Sequence, residues 1–169
     1  MGGPAPFTDR EAAFLEALVE EGVDFLVVGL AAAALQGAPA VTLDVDLWFR
    51  DLADPRLHKA LRRVGAMYLP PRPQHGPVFA GGGTELFDIV LKPQGLRAFA
   101  VEARRALRVP LGSVEVPVLP LARIIASKRA ADRAKDRAIL PVLEDVLRVI
   151  QSRRPIRRVA PNRRKPRSR

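Results

Sequence analysis

The 25 residues FLVVGLAAAALQGAPAVTLDVDLWF, numbered 25–49, contain the pattern on which the predicted fold depends. The apolar run Phe25–Val28 is typical of a strand that is buried on both faces. Gly29 ends that run, and residues 31–35 are predicted to form a short helix. Residues 41–49 then alternate carboxylates with apolar side chains, which indicates a second strand. We therefore predict an α/β (α+β) fold, with a short mixed sheet flanked by helices.

Two carboxylates of the second predicted strand, Asp44 and Asp46, are two residues apart. Residues at that spacing point to the same side of a sheet, where like charges raise each other's pKa unless a cation lies between them. An oxygen-rich site without imidazole suits Mg²⁺ (or Mn²⁺), which takes its other ligands from water and substrate phosphates. The alternative is an exposed edge strand with solvated carboxylates. The apolar neighbours Leu43, Val45 and Leu47 favour the metal site.

A third carboxylate, Asp88, lies in the alternating segment Glu85–Leu91, which predicts a third strand. Because its neighbours Phe87 and Ile89 are apolar, we expect the strand to be largely buried, so that Asp88 needs a partner or a metal. The alternative is a buried acid paired with an arginine. Three carboxylates on adjacent strands could hold two Mg²⁺ ions. Glu85 is expected at the entrance of the strand, outside the site.

Gly29 stands where the first strand gives way to a helix. A glycine there lets the backbone approach a phosphate, and the free amide groups of a helix N-terminus attract an anion. The alternative is a simple turn glycine. The carboxylate pair on the next predicted strand favours the phosphate role.

The rest of the chain predicts further helices and short strands. Pro141 must either kink the last helix or mark its start. The predicted elements are a helix behind the capping box Thr8–Glu11, a helix from Asp54 to about Val64, a short strand at Val78–Phe79 within the loop 70–83, a strand at Val114–Val118, and helices from Leu121 and from about Ala134 to Ile150.

The positive charge of the chain is concentrated at its end. Of the net charge of +10 over 169 residues, nine charges come from the nine basic and no acidic residues of 151–169, which leaves +1 for residues 1–150. We predict that residues 1–150 form one domain and that 151–169 form a basic, disordered tail. The alternatives for the tail are a solubilising extension and a segment attracted to RNA.

Composition excludes several classes of site. The chain has no cysteine, and therefore no disulfide or thiolate ligand. His58 and His75 have no partner at helical spacing, so no zinc site is predicted. No apolar run reaches the length of a membrane span, and the start Met1–Pro4 has no signal-peptide pattern. We expect a cytoplasmic protein.

Gly29-Leu30, thirteen residues, Asp44-x-Asp46 and a later strand with Asp88 together form a pattern that resembles the DNA polymerase-β-type nucleotidyltransferase superfamily. The run 25–49 is similar to small bacterial members related to abortive-infection (AbiEii-like) toxin nucleotidyltransferases. Residues 119–140, LPLARIIASKRAADRAKDRAIL, resemble a helical segment of those proteins in which a Ser-Lys and a Lys-Asp recur. The resemblance covers roughly residues 10–150.

The resemblance implies that residues 1–150 are a nucleotidyltransferase domain, an enzyme of the EC 2.7.7 type. It would move a nucleoside monophosphate from an NTP to an acceptor hydroxyl. Asp44 and Asp46 would ligate the metals, and Asp88 would be a third ligand and help to activate the acceptor. The resemblance also gives Gly29, Leu30 and Lys128 as nucleotide-binding residues. Without the resemblance, the residues leave an alternative open at two positions. Lys128 would lie on a solvated helix face, and Asp136 would pair with Arg133.

The resemblance leaves the acceptor open. It allows the 3′ end of tRNA, a side chain of a partner protein in a toxin–antitoxin pair, or a small molecule such as an antibiotic. One residue departs from the family pattern, since Leu30 stands where Gly or Ser usually follows the first glycine, and a leucine offers no hydroxyl. The alternative function is therefore a catalytically degenerate member that binds RNA or a partner protein.

Overall fold

The computed structural model describes residues 7–153. Most of the predicted basic tail, 151–169, therefore lies outside the described residues. In chain order the elements are α1 (Asp9–Glu20), β1 (Phe25–Val28), α2 (Gly29–Leu35), β2 (Val45–Phe49), α3 (Pro55–Arg63), β3 (Ala66–Leu69), β4 (Val78–Gly81), β5 (Phe87–Val90), α4 (Phe99–Ala103), β6 (Leu107–Leu111), β7 (Val114–Val118), α5 (Leu121–Ala131) and α6 (Ala134–Ser152).

Five strands form one mixed sheet in the order β5-β2-β1-β7-β6. Strand β2 is antiparallel to β1 and parallel to β5, while β7 is parallel to β1 and antiparallel to β6. Strands β3 and β4 form a separate antiparallel pair. Strand β2 is therefore an interior strand, and β5 is an edge strand. The alternative in which the Asp44–Asp46 strand is an exposed edge is wrong, because neighbours flank β2 on both sides.

The helix-capping residues predicted from the sequence are confirmed at the starts of α1 and α3. Thr8 and Glu11 form the predicted capping box: the Thr8 amide donates to Glu11 Oε2 at 2.7 Å, and the Glu11 amide donates to Thr8 Oγ1 at 3.4 Å. Asp54 caps α3 by accepting from the Arg56 amide at 2.9 Å, with Pro55 at the first position. These caps satisfy backbone donors that have no partner within the helix.

Several predicted boundaries differ from the structure. The strand predicted over 41–49 begins only at Val45, because residues 41–44 lie outside the sheet; Val41 is 93% exposed. Helix α6 continues through Pro141 to Ser152, so Pro141 does not mark its start. Elements β3, α4 and β6 were not predicted. No helix within residues 7–153 is long and apolar enough to cross a membrane.

Aromatic side chains connect the elements of the core. The ring of Phe14 on α1 packs edge-to-face against Phe79 of β4 at 5.4 Å and Phe87 of β5 at 5.1 Å. Trp48 of β2 packs edge-to-face against Phe99 of α4 at 5.2 Å. Such contacts add to the free energy of apolar burial. They hold α4 over the sheet and α1 beside the small β3–β4 pair.

The side chain of Gln36 ties the end of α2 to the start of α5. Its Nε2 donates to the carbonyl oxygens of Ala32 and Leu119, both at 2.9 Å. Its Oε1 accepts from the Leu121 amide at 2.8 Å. One amide side chain thus satisfies backbone groups on two helices that are far apart in sequence, and it fixes the position of α5 relative to α2.

A buried ion pair joins α4 to α5. The fully buried Glu102 accepts from Arg123 Nη2 at 2.7 Å and Arg123 Nε at 2.9 Å, and from the Arg97 amide at 3.0 Å. The hydrogen bonds from Arg123 outweigh burial and hold the pKa of Glu102 below its ordinary value. The pair is bidentate, the geometry in which arginine binds a carboxylate most strongly.

We expect Glu102→Gln to lower the free energy of unfolding by about 2 kcal/mol at neutral pH, because it weakens the charged hydrogen bonds to Arg123. Since the pKa of Glu102 is lower in the folded state, its contribution is complete above the ordinary value of 4.5 and is lost as the pH falls through the folded value. Urea unfolding at several pH values measures this.

The matched control for that variant is Glu144→Gln, which removes an exposed pair with Arg129. It should change the free energy of unfolding little at any pH. An equal loss in both variants, or a loss at Glu102 that does not shrink in acid, would contradict the role given to the Glu102–Arg123 pair.

Candidate functional site

Asp46 and Asp88 lie side by side in the sheet. Each is the second residue of its strand, and the parallel register of β2 and β5 pairs them directly. Paired residues on neighbouring strands point to the same face, with the strands roughly 5 Å apart. Asp44 directly precedes β2 and is exposed. The pairing therefore brings the predicted carboxylates to one place on the sheet.

The three carboxylates line one cavity of about 200 Å³, called here the acid compartment. Five of the six predicted site residues lie in its wall, and the sixth, Gly29, lies in the wall of the adjoining cavity. The lining residues of the acid compartment are Leu30, Thr42, Asp44, Asp46, Asp88, Lys128, Arg133 and Lys135.

The adjoining cavity has a volume of about 350 Å³ and is called here the larger compartment. It lies between the sheet, helix α5 and the loop that follows β5. It shares Asp46, Lys128 and Arg133 with the acid compartment. The two compartments are therefore parts of a single cleft that meet at one carboxylate and two cations.

The Asp46 carboxylate is half-buried at the junction of the two compartments. Burial raises the pKa of Asp46 above its ordinary value, the Asp88 carboxylate raises it further, and Lys128 opposes both. Asp44 and Lys135 act more weakly, in opposite directions. A half-buried carboxylate beside two others is costly unless positive charge is close. The lysines supply part of that charge.

Gly29 makes room for the Asp46 carboxylate. Its φ of +66° is in the left-handed region, and a Cβ at this position would overlap Asp46 Oδ2. A side chain at residue 29 would therefore displace the carboxylate. The structure gives Gly29 this contact with Asp46, while its predicted contact with a phosphate stays a prediction.

Asp136 holds two cations at the junction of the compartments. Its carboxylate is fully buried and accepts from Lys128 Nζ at 3.0 Å and Arg133 Nε at 2.6 Å. Burial alone would raise the pKa of Asp136, but the hydrogen bonds from Arg133 and Lys128 outweigh it and lower the pKa to about 2. The predicted pairing with Arg133 is confirmed. The solvated helix face considered for Lys128 is wrong, because that side chain is only 12% exposed.

The burial expected around Asp88 holds for its neighbours but not for Asp88 itself. Phe87 is buried and Ile89 is half-buried, whereas Asp88 is exposed and Leu91, which follows β5, is 66% exposed. The reason is that β5 is an edge strand, which its alternating sequence does not reveal. The described residues also contain no ion pair between Asp88 and an arginine, so the alternative of a buried, paired acid is wrong too.

The carboxylates suit a metal that arrives with a phosphate. Among residues 7–153, no group of three or more His, Cys, Asp or Glu side chains is arranged to hold an ion by itself. Mg²⁺ is usually bound by one or two carboxylates, with water and substrate phosphates completing its shell. The oxygen donors of Asp44, Asp46 and Asp88 fit that mode, and the absence of histidine from the cleft agrees with a hard cation.

The structure adds residues that the sequence interpretation left outside the site. Arg133 lines both compartments, Thr42 lines the acid compartment, and Gln94 lines the larger one. The sequence feature that could have placed Arg133 in the site is its position three residues before Asp136. Thr42 and Gln94 lie in loops, where no periodicity relates a side chain to a site.

The chain is similar to the solved structure of ANT(2″)-Ia in complex with adenylyl-2″-tobramycin, with a TM-score of 0.53 and a sequence identity of 16%. The match covers 83% of this chain and 94% of the ANT(2″)-Ia chain. The solution structure of the antibiotic-resistance factor ANT(2″)-Ia gives a TM-score of 0.51 at 16% identity, over 83% and 89% of the two chains. No protein-family model and no curated protein matches the chain.

These similarities show that the chain shares its fold with ANT(2″)-Ia. The predicted α/β fold, with a mixed sheet flanked by helices, is thereby confirmed. The predicted relation to abortive-infection toxins stays a prediction.

The role of Gly29 can be tested with Gly29→Ala and the matched control Gly37→Ala. Both glycines have positive φ, but a Cβ at Gly37 would have nothing within 4 Å. Both variants should lose about 1–2 kcal/mol of folding free energy from backbone strain. Gly29→Ala should lose more, because its Cβ would also displace the Asp46 carboxylate. Urea unfolding measures the losses, and equal losses in the two variants would contradict the contact.

Proposed function

We propose that the chain transfers a nucleoside monophosphate from an NTP to an acceptor hydroxyl and releases pyrophosphate. The observation that carries this proposal is the in-register pair Asp46 and Asp88, in a cleft that Asp44 also lines. The fold shared with nucleotidyltransferases agrees with it. We also propose that the protein is located in the cytoplasm.

The carboxylates Asp44, Asp46 and Asp88 are the residues that would hold Mg²⁺ or Mn²⁺. Bound there, the ion would neutralise phosphate charge and lower the pKa of the attacking hydroxyl. The half-buried position of Asp46 and the exposed position of Asp88 suggest different tasks. Asp46 faces the junction of the two compartments, while Asp88 is open to an acceptor that enters from solvent.

Cations on α5, on α6 and between the two helices would bind the triphosphate. Lys128, Arg133 and Lys135 line the acid compartment together with the three carboxylates. Arginine and lysine bind phosphate oxygens by charge-assisted hydrogen bonds. Because Asp136 already holds Lys128 and Arg133 in place, little side-chain entropy would be lost when the substrate binds. Gly29 and Leu30, at the start of α2, would lie beside the same phosphates.

The transfer step forms a bond between the acceptor oxygen and the α-phosphorus, and it breaks the bond from that phosphorus to pyrophosphate. The proton of the acceptor hydroxyl would go to the Asp88 carboxylate and then to solvent. Catalysis of this kind depends on positioning and on neutralising charge. A cleft that combines fixed cations with carboxylates suits both requirements.

The acceptor belongs to one of three classes. These are an RNA such as the 3′ end of tRNA, a side chain of a partner protein in a toxin–antitoxin pair, and a small molecule. ANT(2″)-Ia, whose fold is similar, has been captured with adenylyl-2″-tobramycin, which makes an aminoglycoside the first small molecule to test. The basic segment 151–169 would favour RNA by its charge.

A second candidate function is binding without catalysis. Leu30 lines the acid compartment, where its apolar side chain offers no hydrogen bond to a phosphate. A degenerate domain of this kind would bind RNA or a partner protein, mainly through the basic segment.

The enzyme is tested by incubating the full chain with Mg²⁺ and each labelled NTP in turn. The acceptors are total tRNA, a cell protein extract and tobramycin, in separate reactions. We expect transfer to one class, and a fall in rate of about 100-fold or more for Asp46→Ala and for Asp44→Ala, because each removes a charge from the reacting centre. Asp145→Ala, an exposed acid on α6, is the control. No transfer to any acceptor, with no NTP binding, would contradict the proposal.

Deletion of residues 154–169 separates the two candidate functions, because it leaves α6 intact. An enzyme should keep its NTP affinity and its transfer of label from the NTP, and lose only salt-sensitive attraction to RNA. A binder that acts through the tail should lose its RNA affinity almost completely. Calorimetry with NTP and filter binding with tRNA at two salt concentrations measure these outcomes.

A further inference from the structure

Unpaired cations are concentrated in one short segment of the protein. Residues 7–153 contain 20 lysines and arginines, and ten of these side chains form ion pairs with carboxylates of the same range. Of the ten that form no such pair, five lie within residues 92–108. All five are exposed and are called here the basic surface: Lys92, Arg97, Arg104, Arg105 and Arg108. Exposed cations without a partner create a positive potential that attracts anions.

The charge of the basic surface is not offset by the rest of its segment. Residues 92–108 contain five basic residues and one acid, a net charge of +4. Residues 7–153 as a whole contain 20 basic and 18 acidic residues, a net charge of +2, so the residues outside the segment carry −2. The one acid of the segment, Glu102, is fully buried and bound to Arg123. The positive charge of the described chain is therefore local, as in proteins that bind a polyanion.

Contacts around α4 bring these cations to one part of the molecule. The Arg97 amide donates to Glu102 Oε1 at 3.0 Å, and the Arg105 amide donates to the Glu102 carbonyl oxygen at 2.9 Å. Arg104 is the C-cap of α4, and Arg108 follows as the second residue of β6. The basic surface is therefore carried by backbone that hydrogen bonds hold in place.

The basic surface begins at the wall of the cleft. Lys92 lines the larger compartment and follows Asp88 by four residues, a distance of at most about 14 Å along the chain. The loop that contains Lys92 is packed on α5, since Gly95 has a φ of +68° and a Cβ there would overlap Ala130 Cβ. A polyanion bound along the basic surface would therefore pass close to the exposed Asp88.

We propose that the basic surface binds the phosphate backbone of an RNA strand. A protein partner is disfavoured, because protein interfaces have an apolar core and Leu107 is the one exposed large apolar side chain of residues 92–108. A lipid surface is disfavoured too, because α4, at five residues, is too short to lie in a membrane interface as an amphipathic helix. An RNA strand also ends in hydroxyls, and the use of such an end as the acceptor rests on the proposed function.

Two triple variants of the full chain that remove the same charge test the basic surface. The surface variant is Arg104→Gln/Arg105→Gln/Arg108→Gln. The control variant removes three exposed, unpaired cations elsewhere in the described chain and is Arg10→Gln/Arg62→Gln/Arg72→Gln. Both keep the basic segment 151–169, so attraction of RNA to that segment is the same in the two. None of the six residues lines either compartment of the cleft, so NTP affinity should be unchanged in both variants.

We expect the surface variant to bind a labelled single-stranded RNA about 10-fold or more weaker at low salt. The slope of log affinity against log salt should fall by about 2, because each phosphate contact of a single strand contributes about 0.7. The control variant should bind less than about threefold weaker. Anisotropy titrations over a series of salt concentrations measure both, and thermal unfolding checks that the variants fold. If the surface variant does not fold, Arg97→Gln/Arg108→Gln provides the same test.

The outcomes separate the basic surface from the proposed function. Equal losses of RNA affinity in the two triple variants, or no loss in either, would overturn the basic surface. A loss of binding to phosphatidylserine vesicles in the surface variant, with RNA affinity unchanged, would overturn it as well. With NTP binding intact, any of these results leaves the transferase proposal standing. A loss of RNA affinity confined to the surface variant, in a chain that neither binds NTP nor transfers label, would support the basic surface and overturn the transferase.

Discussion

The constraint on which the rest of this structure depends is the half-buried carboxylate of Asp46, which lies next to the carboxylates of Asp44 and Asp88. Burial and the neighbouring Asp88 both raise the pKa of Asp46, so its charged form needs positive charge nearby. Lys128 and Lys135 supply that charge from helices α5 and α6. Gly29 gives the carboxylate its space, because any Cβ at this position would overlap it.

The cations themselves must be held, and the fold does this with buried polar side chains. Asp136 fixes Lys128 and Arg133, and its carboxylate is fully buried. Gln36 ties α2 to the start of α5 through two hydrogen bonds, and the Glu102–Arg123 pair ties α4 to the same helix. Helix α5 is thus held by three separate contacts. Groups held in this way keep their charges in place before any ligand binds, which lowers the entropy cost of binding one.

The fold alone does not decide what the cleft acts on. ANT(2″)-Ia has a similar fold at 16% identity, and identity that low leaves the side chains of the cleft free to differ. In this chain the cleft combines three aspartates with Lys128, Arg133 and Lys135, and it opens beside the exposed Asp88. For the proposed transferase, substrate choice would therefore depend on these side chains, and less on the sheet that carries them.

The sequence by itself determined the features that depend on near neighbours. The capping box of Thr8 and Glu11, the buried strand before Gly29 and the same-side spacing of Asp44 and Asp46 follow from hydrogen bonds and periodicities within a few residues. The apolar neighbours of Asp88 pointed to it as a third carboxylate, and the resemblance added Lys128; both residues line the acid compartment.

Only the tertiary structure decided what depends on residues far apart in the chain. It set the register that pairs Asp46 with Asp88, the edge position that exposes Asp88, and the turn of α6 that buries Asp136 against Lys128. It also excluded residues 41–44 from the sheet, although their alternation resembles a strand. Strand pairing and burial depend on which distant segments pack together, and local periodicity contains no information about that choice.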